Sequence, residues 1–154
     1  MIRRFKTSEF RSLKGVDLNY GKINIFIGPN NSGKTNMIRA ISWLKDMLTF
    51  SQMDRSAFHH VCEKNGRSEI LNRYSAFPGN INLEWVVDIE EGIPPLSYVL
   101  DFSVDESQYW PSAFVIQKET VKYEKPMEGK DKPFLLLMER LKSLLLIKIK
   151  TLQT

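Results

Sequence analysis

The sequence holds a single cysteine, Cys62, so an internal disulfide is excluded and a reducing compartment suits the chain. Histidine is almost as scarce: the only two, His59 and His60, are adjacent. Together with Cys62 they would need at least one more ligand to close a metal site, and no nearby Cys or His supplies it. They are expected to be surface or half-buried side chains. A long apolar run is also missing. The most apolar stretch, residues 134–152, is interrupted by Glu139, Arg140, Lys142, Lys148 and Lys150, which excludes a membrane span. The opening Met1-Ile2-Arg3-Arg4-Phe5-Lys6 carries charge without an apolar segment behind it. No signal peptide is visible, and a cytoplasmic protein is the expectation.

What remains suits a folded protein. Hydrophobic residues make up 42% and aromatic residues 11% of 154 positions, too apolar for a disordered chain. A chain of this length supports one domain that buries about 70% of its unfolded surface. The net charge of +4 is unevenly spread. Residues 1–22 carry six basic and two acidic side chains, residues 81–117 seven acidic and no basic ones, and residues 118–154 nine basic and five acidic. Basic ends suit contact with nucleic acid and an acidic middle opposes it, so charge alone does not establish a DNA partner.

The most informative stretch is Gly28-Pro29-Asn30-Asn31-Ser32-Gly33-Lys34-Thr35, a full match to the phosphate-binding pattern G-x-x-x-x-G-K-[ST]. Before it, Ile23, Ile25 and Ile27 alternate with Asn24 and Phe26, as in a strand. After it, Met37, Ile38, Ile41, Leu44, Met47 and Leu48 recur at helical spacing. Strand, glycine-bearing loop and helix together are the context that marks this motif as a nucleotide site. Gly28 and Gly33 permit backbone shapes that let successive N–H groups curl around a phosphate. The helix start adds unpaired N–H groups and partial positive charge. Lys34 would reach the outer phosphates and the Thr35 hydroxyl would bind Mg²⁺, with Asn30, Asn31 and Ser32 adding loop contacts.

The residues around the motif carry a resemblance. Phe5, then Glu9-Phe10-Arg11-Ser12-Leu13, Val16-Asp17-Leu18, Gly21 and Ile23 through Asn36 resemble the N-terminal lobe of the RecF/SMC-like branch of ABC-type ATPases. Within that branch the chain most resembles the group containing the OLD-family nucleases and related anti-phage ATPases. Asn30 and Asn36 match the loop Gly-x-Asn-x-Ser-Gly-Lys-[Ser/Thr]-Asn typical of that branch. The resemblance implies an α/β P-loop NTPase fold with an antiparallel subsheet, ATP and Mg²⁺ as cofactors, and work on DNA. It also implies dimerisation through the ATPase and places Arg11 at the nucleotide edge.

Elsewhere, residues 2–20 predict two strands around a turn at Ser12–Gly15, and residues 50–80 an insertion with one or two short helices within 56–73. Residues 81–124 predict an antiparallel sheet. Ile81, Leu83, Trp85, Val87 and Ile89 share one face, Tyr98, Leu100, Phe102 and Val104 another, and a less clean third run spans 114–123. In the resembling branch such a subsheet often ends in a strand with a glutamate, here Glu119. Val86-Val87-Asp88-Ile89-Glu90 imitates a Walker B strand, but its alternation indicates a half-exposed strand instead of a buried parallel one. No catalytic residue is assigned. The tail, 125–154, fits a helix through Phe134, Leu137, Met138, Leu141, Leu144 and Leu145, and fits a strand equally through Leu145, Ile147 and Ile149.

Against the resemblance, the chain lacks a Ser-Gly-Gly-like signature, a convincing Walker B strand and a nuclease-type acidic cluster. ABC-type hydrolysis needs a partner segment closing on the nucleotide. The expectation is therefore a single partial ATPase domain over 1–154, which awaits a C-terminal ATPase lobe or nuclease subunit and is not an active ATPase alone. The competing reading is a non-catalytic module that dimerises or docks a partner. A self-sufficient kinase or GTPase is disfavoured, because strand–helix alternation does not continue after the first helix.

Overall fold

A computed structural model describes residues 1–50, 57–66, 70, 79–104 and 114–124. In chain order the elements are β1 (Ile2–Phe10), β2 (Leu13–Asn19), α1 (Lys34–Phe50), α2 (Ala57–Lys64), β3 (Gly79–Val87), β4 (Leu96–Val104) and β5 (Phe114–Tyr123). The five strands form one antiparallel sheet in the order β2-β1-β3-β4-β5. The subsheet expected from residues 81–124 is thus one part of a larger sheet, because β1 pairs with β3 across the intervening helices.

Alternation decides which face is inside. Ile81, Leu83, Trp85 and Val87 of β3 lie opposite Phe102, Leu100, Tyr98 and Leu96 of β4, and all are buried. Residues directly opposite in an antiparallel pair point to the same face, so these eight build one apolar surface. Helix α1 packs on it through Met37, Ala40, Trp43, Leu44 and Met47. Trp43 is the centrepiece. Its ring stacks on Phe102 of β4 at 5.9 Å and meets Phe10 of β1 edge-on at 5.3 Å. Phe58 of α2 joins by a T-shaped contact with Phe102 at 5.1 Å. A further ion pair between Lys64 and Asp46, at 2.8 Å, ties the end of α2 to α1.

Four expectations need correction or refinement. First, Ile23–Ile27 is not a strand. Residues 21–29 join no ladder among the described residues, and Ile23, Ile25 and Ile27 are 85%, 79% and 91% exposed. A strand is defined by its neighbours, and an apolar one needs cover that no described strand provides here. Second, the buried stripe of α1 is rotated: Ala40 and Trp43 are fully buried, whereas Ile38 is 56% exposed. The side chain of Leu48 falls outside the described residues. Third, the first hairpin turns at Arg11–Ser12, ahead of the expected position, and Arg11 carries the turn with φ +54°. Fourth, the untidy third run has a cause. A bulge opposite Asp101/Phe102 leaves Gln117 as an extra residue, since Ile116 pairs with Phe102 and Lys118 with Asp101. The residues opposite the buried side chains of β4 therefore switch parity, from Phe114 and Ile116 to Glu119, Val121 and Tyr123.

Of the 50–80 insertion, α2 lies within the expected helical range, and Phe58, Val61 and Cys62 are its buried side. The expected tail structures lie outside the described residues. Among the described residues no helix is long and apolar enough to cross a membrane.

Candidate functional site

The loop from Gly28 to Thr35 lies at the surface and ends where α1 begins. Its first helical hydrogen bond runs from the Met37 N–H to the Gly33 carbonyl at 2.9 Å. The first turn of α1 contains no acidic side chain, so its partial positive charge has no acidic side chain there to compensate it. Lys34 folds back over the loop. Its ammonium donates to the carbonyls of Gly28 at 2.7 Å and Pro29 at 2.5 Å, and to Ser32 Oγ at 3.2 Å. The loop is thereby closed into a ring around one cation.

The two glycines serve different purposes. Gly33 has φ +91°, a left-handed conformation that a side chain opposes. Gly28 instead provides space: a Cβ there would lie 2.8 Å from Ser32 Oγ, which real contacts do not allow. Asn31 also has positive φ, at +66°, and asparagine is among the few non-glycine residues that accept it. Two left-handed residues within three positions turn the backbone sharply. These features suit an anion, because a glycine-bearing loop, a helix N-terminus and a lysine ammonium converge at one corner.

The remaining expected residues cluster near this corner in different ways. Asn30 and Thr35 are exposed, Thr35 on the first turn of α1. Asn36 Nδ2 donates to Ser12 Oγ at 2.8 Å, fastening α1 to the β1–β2 turn. Arg11, on the same turn, is 8% exposed. Its guanidinium donates to the Asn65 carbonyl and lies 5.8 Å from the centre of the Phe10 ring. Its backbone N–H donates to the Ile70 carbonyl at 2.8 Å. Ser12 is not among the expected binding residues, and its place in the turn and in the Glu9–Leu13 stretch carries no signal of this contact.

Asp88 and Glu119, outside the loop, each have a local partner. Asp88 forms an ion pair with Arg3 at 2.7 Å, and its backbone exchanges hydrogen bonds with Met1 at the end of an antiparallel pair. Glu119 accepts the Tyr98 hydroxyl at 2.6 Å. Burial, reinforced by that carboxylate, pushes the Tyr98 phenol above its ordinary value. Burial likewise raises the Cys62 thiol. Among the described residues no three His, Cys, Asp or Glu side chains group as a metal site. Arg3, Arg4 and Lys14 each face a carboxylate, so much of the basic N-terminal charge is locally compensated.

The model of the AAA ATPase domain family matches residues 1–153, and the chain belongs to that family. An ATPase family implies a nucleotide, usually with Mg²⁺. The chain is 42% identical over 41 residues to an OLD nuclease of Thermus scotoductus, covering 27% of this chain and 8% of that protein. It is 40% identical over 50 residues to the DNA replication and repair protein RecF of Citrifermentans bemidjiense, covering 32% of this chain and 14% of that protein. RecF of Lactobacillus delbrueckii subsp. bulgaricus is 29% identical over 110 residues, covering 53% and 29%. The resemblance to the RecF and OLD group therefore holds, although the chain spans less than a third of each relative's length.

Proposed function

We propose that the chain is an ATP-binding lobe of a RecF/SMC/OLD-like, ABC-type ATPase that acts in DNA repair or phage defence. The observation that carries this reading is the ring formed by Lys34 with Gly28, Pro29 and Ser32 at the start of a 17-residue helix. A phosphate entering that ring exchanges neutral carbonyls for a charged partner of the ammonium, a stronger class of hydrogen bond. Gly28, Asn30, Asn31, Ser32, Gly33 and Lys34 hold the phosphates and Thr35 holds Mg²⁺; the resemblance assigns Arg11 to the nucleotide edge, which requires its guanidinium to leave the Asn65 carbonyl it now holds. Mg-ATP is expected to bind to the purified chain, and Lys34→Ala to abolish that binding while leaving the circular dichroism spectrum unchanged. Equal affinity in the two proteins, measured by calorimetry, would defeat the assignment.

Hydrolysis is proposed to need a complementary ATPase lobe or nuclease subunit, with dimerisation through the ATPase and DNA as the further partner. The exposed Ile23, Ile25 and Ile27 support this, because they form an apolar segment that runs directly into the loop and that none of the described strands covers. Ile25→Asp is expected to leave the lobe's own stability within about 0.5 kcal/mol, since Ile25 is 79% exposed. It should abolish capture of a co-expressed complementary lobe in pull-down. The same isoleucines also support the second reading, a docking module without turnover. Association that ignores nucleotide, together with no Mg-ATP binding, would place that reading first.

A further inference from the structure

The β1–β2 turn is fastened on two sides, and the two sides serve different parts of the molecule. Toward the loop, Ser12 Oγ accepts Asn36 Nδ2 at 2.8 Å. A Cβ added at Gly33 would sit 3.2 Å from Ser12 Oγ and 3.3 Å from Leu13 Cδ2, so the space between the loop and the turn is too small for even a methyl group without a shift of a neighbour. Toward the insertion, Arg11 donates through its guanidinium to Asn65 and through its backbone to Ile70. The two attachments are on successive residues, and Arg11 holds a left-handed φ of +54° that a side chain ordinarily avoids. The circuit closes on the far side, where Lys64, next to Asn65, is paired with Asp46 of α1.

We propose that the Arg11–Ser12 turn couples occupancy of the loop to the packing of α2 and Asn65, with Ser12 and Asn36 as positioning residues for the loop. This rests on the nucleotide reading above and adds to it a regulated segment. The physical argument is that a phosphate competes for the Lys34 ammonium, which now holds the Gly28 and Pro29 carbonyls. Release of those carbonyls lets the loop backbone readjust as far as Gly33. Gly33 has less than a methyl group's room on the side of the turn, Ser12 is also held by Asn36 at the start of α1, and Ser12 is the residue after Arg11. A buried arginine that donates to the backbone of the insertion transmits that displacement, because close-packed contacts move together. Linkage makes the effect reciprocal: whatever loosens the Arg11–Asn65 attachment alters affinity at the loop.

The test is amide hydrogen exchange over residues 57–66 in the whole chain, with and without saturating Mg-ATP, for wild type, Ser12→Thr and Asn36→Ala. Calorimetry on each protein reports affinity separately. Wild type and Ser12→Thr, which keeps the hydroxyl, should both change protection in 57–66 on binding. Asn36→Ala should bind about tenfold more weakly and, even when saturated, leave 57–66 unchanged. A merely structural role of Asn36 would lower stability without uncoupling the two segments. Wild type that binds Mg-ATP with unaltered exchange in 57–66 would overturn the coupling and leave the nucleotide reading standing. Wild type that does not bind Mg-ATP at all would remove both.

Discussion

Replacing Gly33 with alanine separates conformational strain from crowding, because Gly15 and Gly92 supply controls within the same protein. All three glycines have positive φ, at +91°, +60° and +79°. A Cβ at Gly15 or Gly92 meets nothing within 4 Å, whereas one at Gly33 meets Ser12 Oγ at 3.2 Å and Leu13 Cδ2 at 3.3 Å. Left-handed backbone costs an L-residue about 1–2 kcal/mol. Loss of unfolded-state entropy on Gly→Ala returns about 0.4–1 kcal/mol. Gly15→Ala should therefore destabilise by about 1 kcal/mol. Gly33→Ala carries the same terms plus a crowding cost of about 1–3 kcal/mol, giving about 2–4 kcal/mol. Urea denaturation followed by tryptophan fluorescence is the assay, since Trp43 and Trp85 are fully buried and report unfolding. If the loop relieves the strain locally, part of the stability cost disappears and is recovered as lost Mg-ATP affinity, about tenfold for each 1.4 kcal/mol. Gly33→Ala that matches Gly15→Ala in both midpoint and nucleotide affinity would show that the loop does not pack against the turn.

Two further outcomes follow from the core. Trp43→Ala removes the ring between Phe10 and Phe102 and should cost about 3–5 kcal/mol, a large share of a domain's usual stability; a thermal midpoint lowered by only a degree or two would contradict its central place. Cys62 should resist alkylation in the native state and react after unfolding. Its folded-state pKa is raised by burial, so only the unfolded chain ionises it as pH climbs past the ordinary 9.0. The unfolded state then holds fewer protons, and stability falls with rising pH above that value. Cys62→Val should flatten this alkaline decline, and an unchanged slope would place its cause elsewhere.

Much of the sheet was legible because period-two alternation is a local property. Ile81, Leu83, Trp85, Val87, Tyr98, Leu100, Phe102 and Val104 all turn inward, as their spacing indicates. The third strand was harder to read because its bulge at Gln117 reverses the parity midway, and a bulge depends on the partner strand. Helix α1 was legible as a helix but not in its rotation. Alanine at 40 looks neutral and isoleucine at 38 looks buried until the sheet's position decides which side is covered.

The loop shows the same division. Its pattern, the helix after it and the identity of Lys34 as the cation are set by eight residues and their neighbours, since glycine tolerance and a helix start are local chemistry. That alternation also made Ile23–Ile27 look like a strand, yet a strand exists only when other strands lie beside it, and none of the described ones does. Nor could spacing disclose that Gly28 is needed for room and Gly33 for its backbone, or that Ser12 supports the loop. Those facts arise where segments distant in sequence meet. Local order fixes what each segment is able to become, and contacts across the chain decide which of those states is buried, paired or pressed against its neighbour.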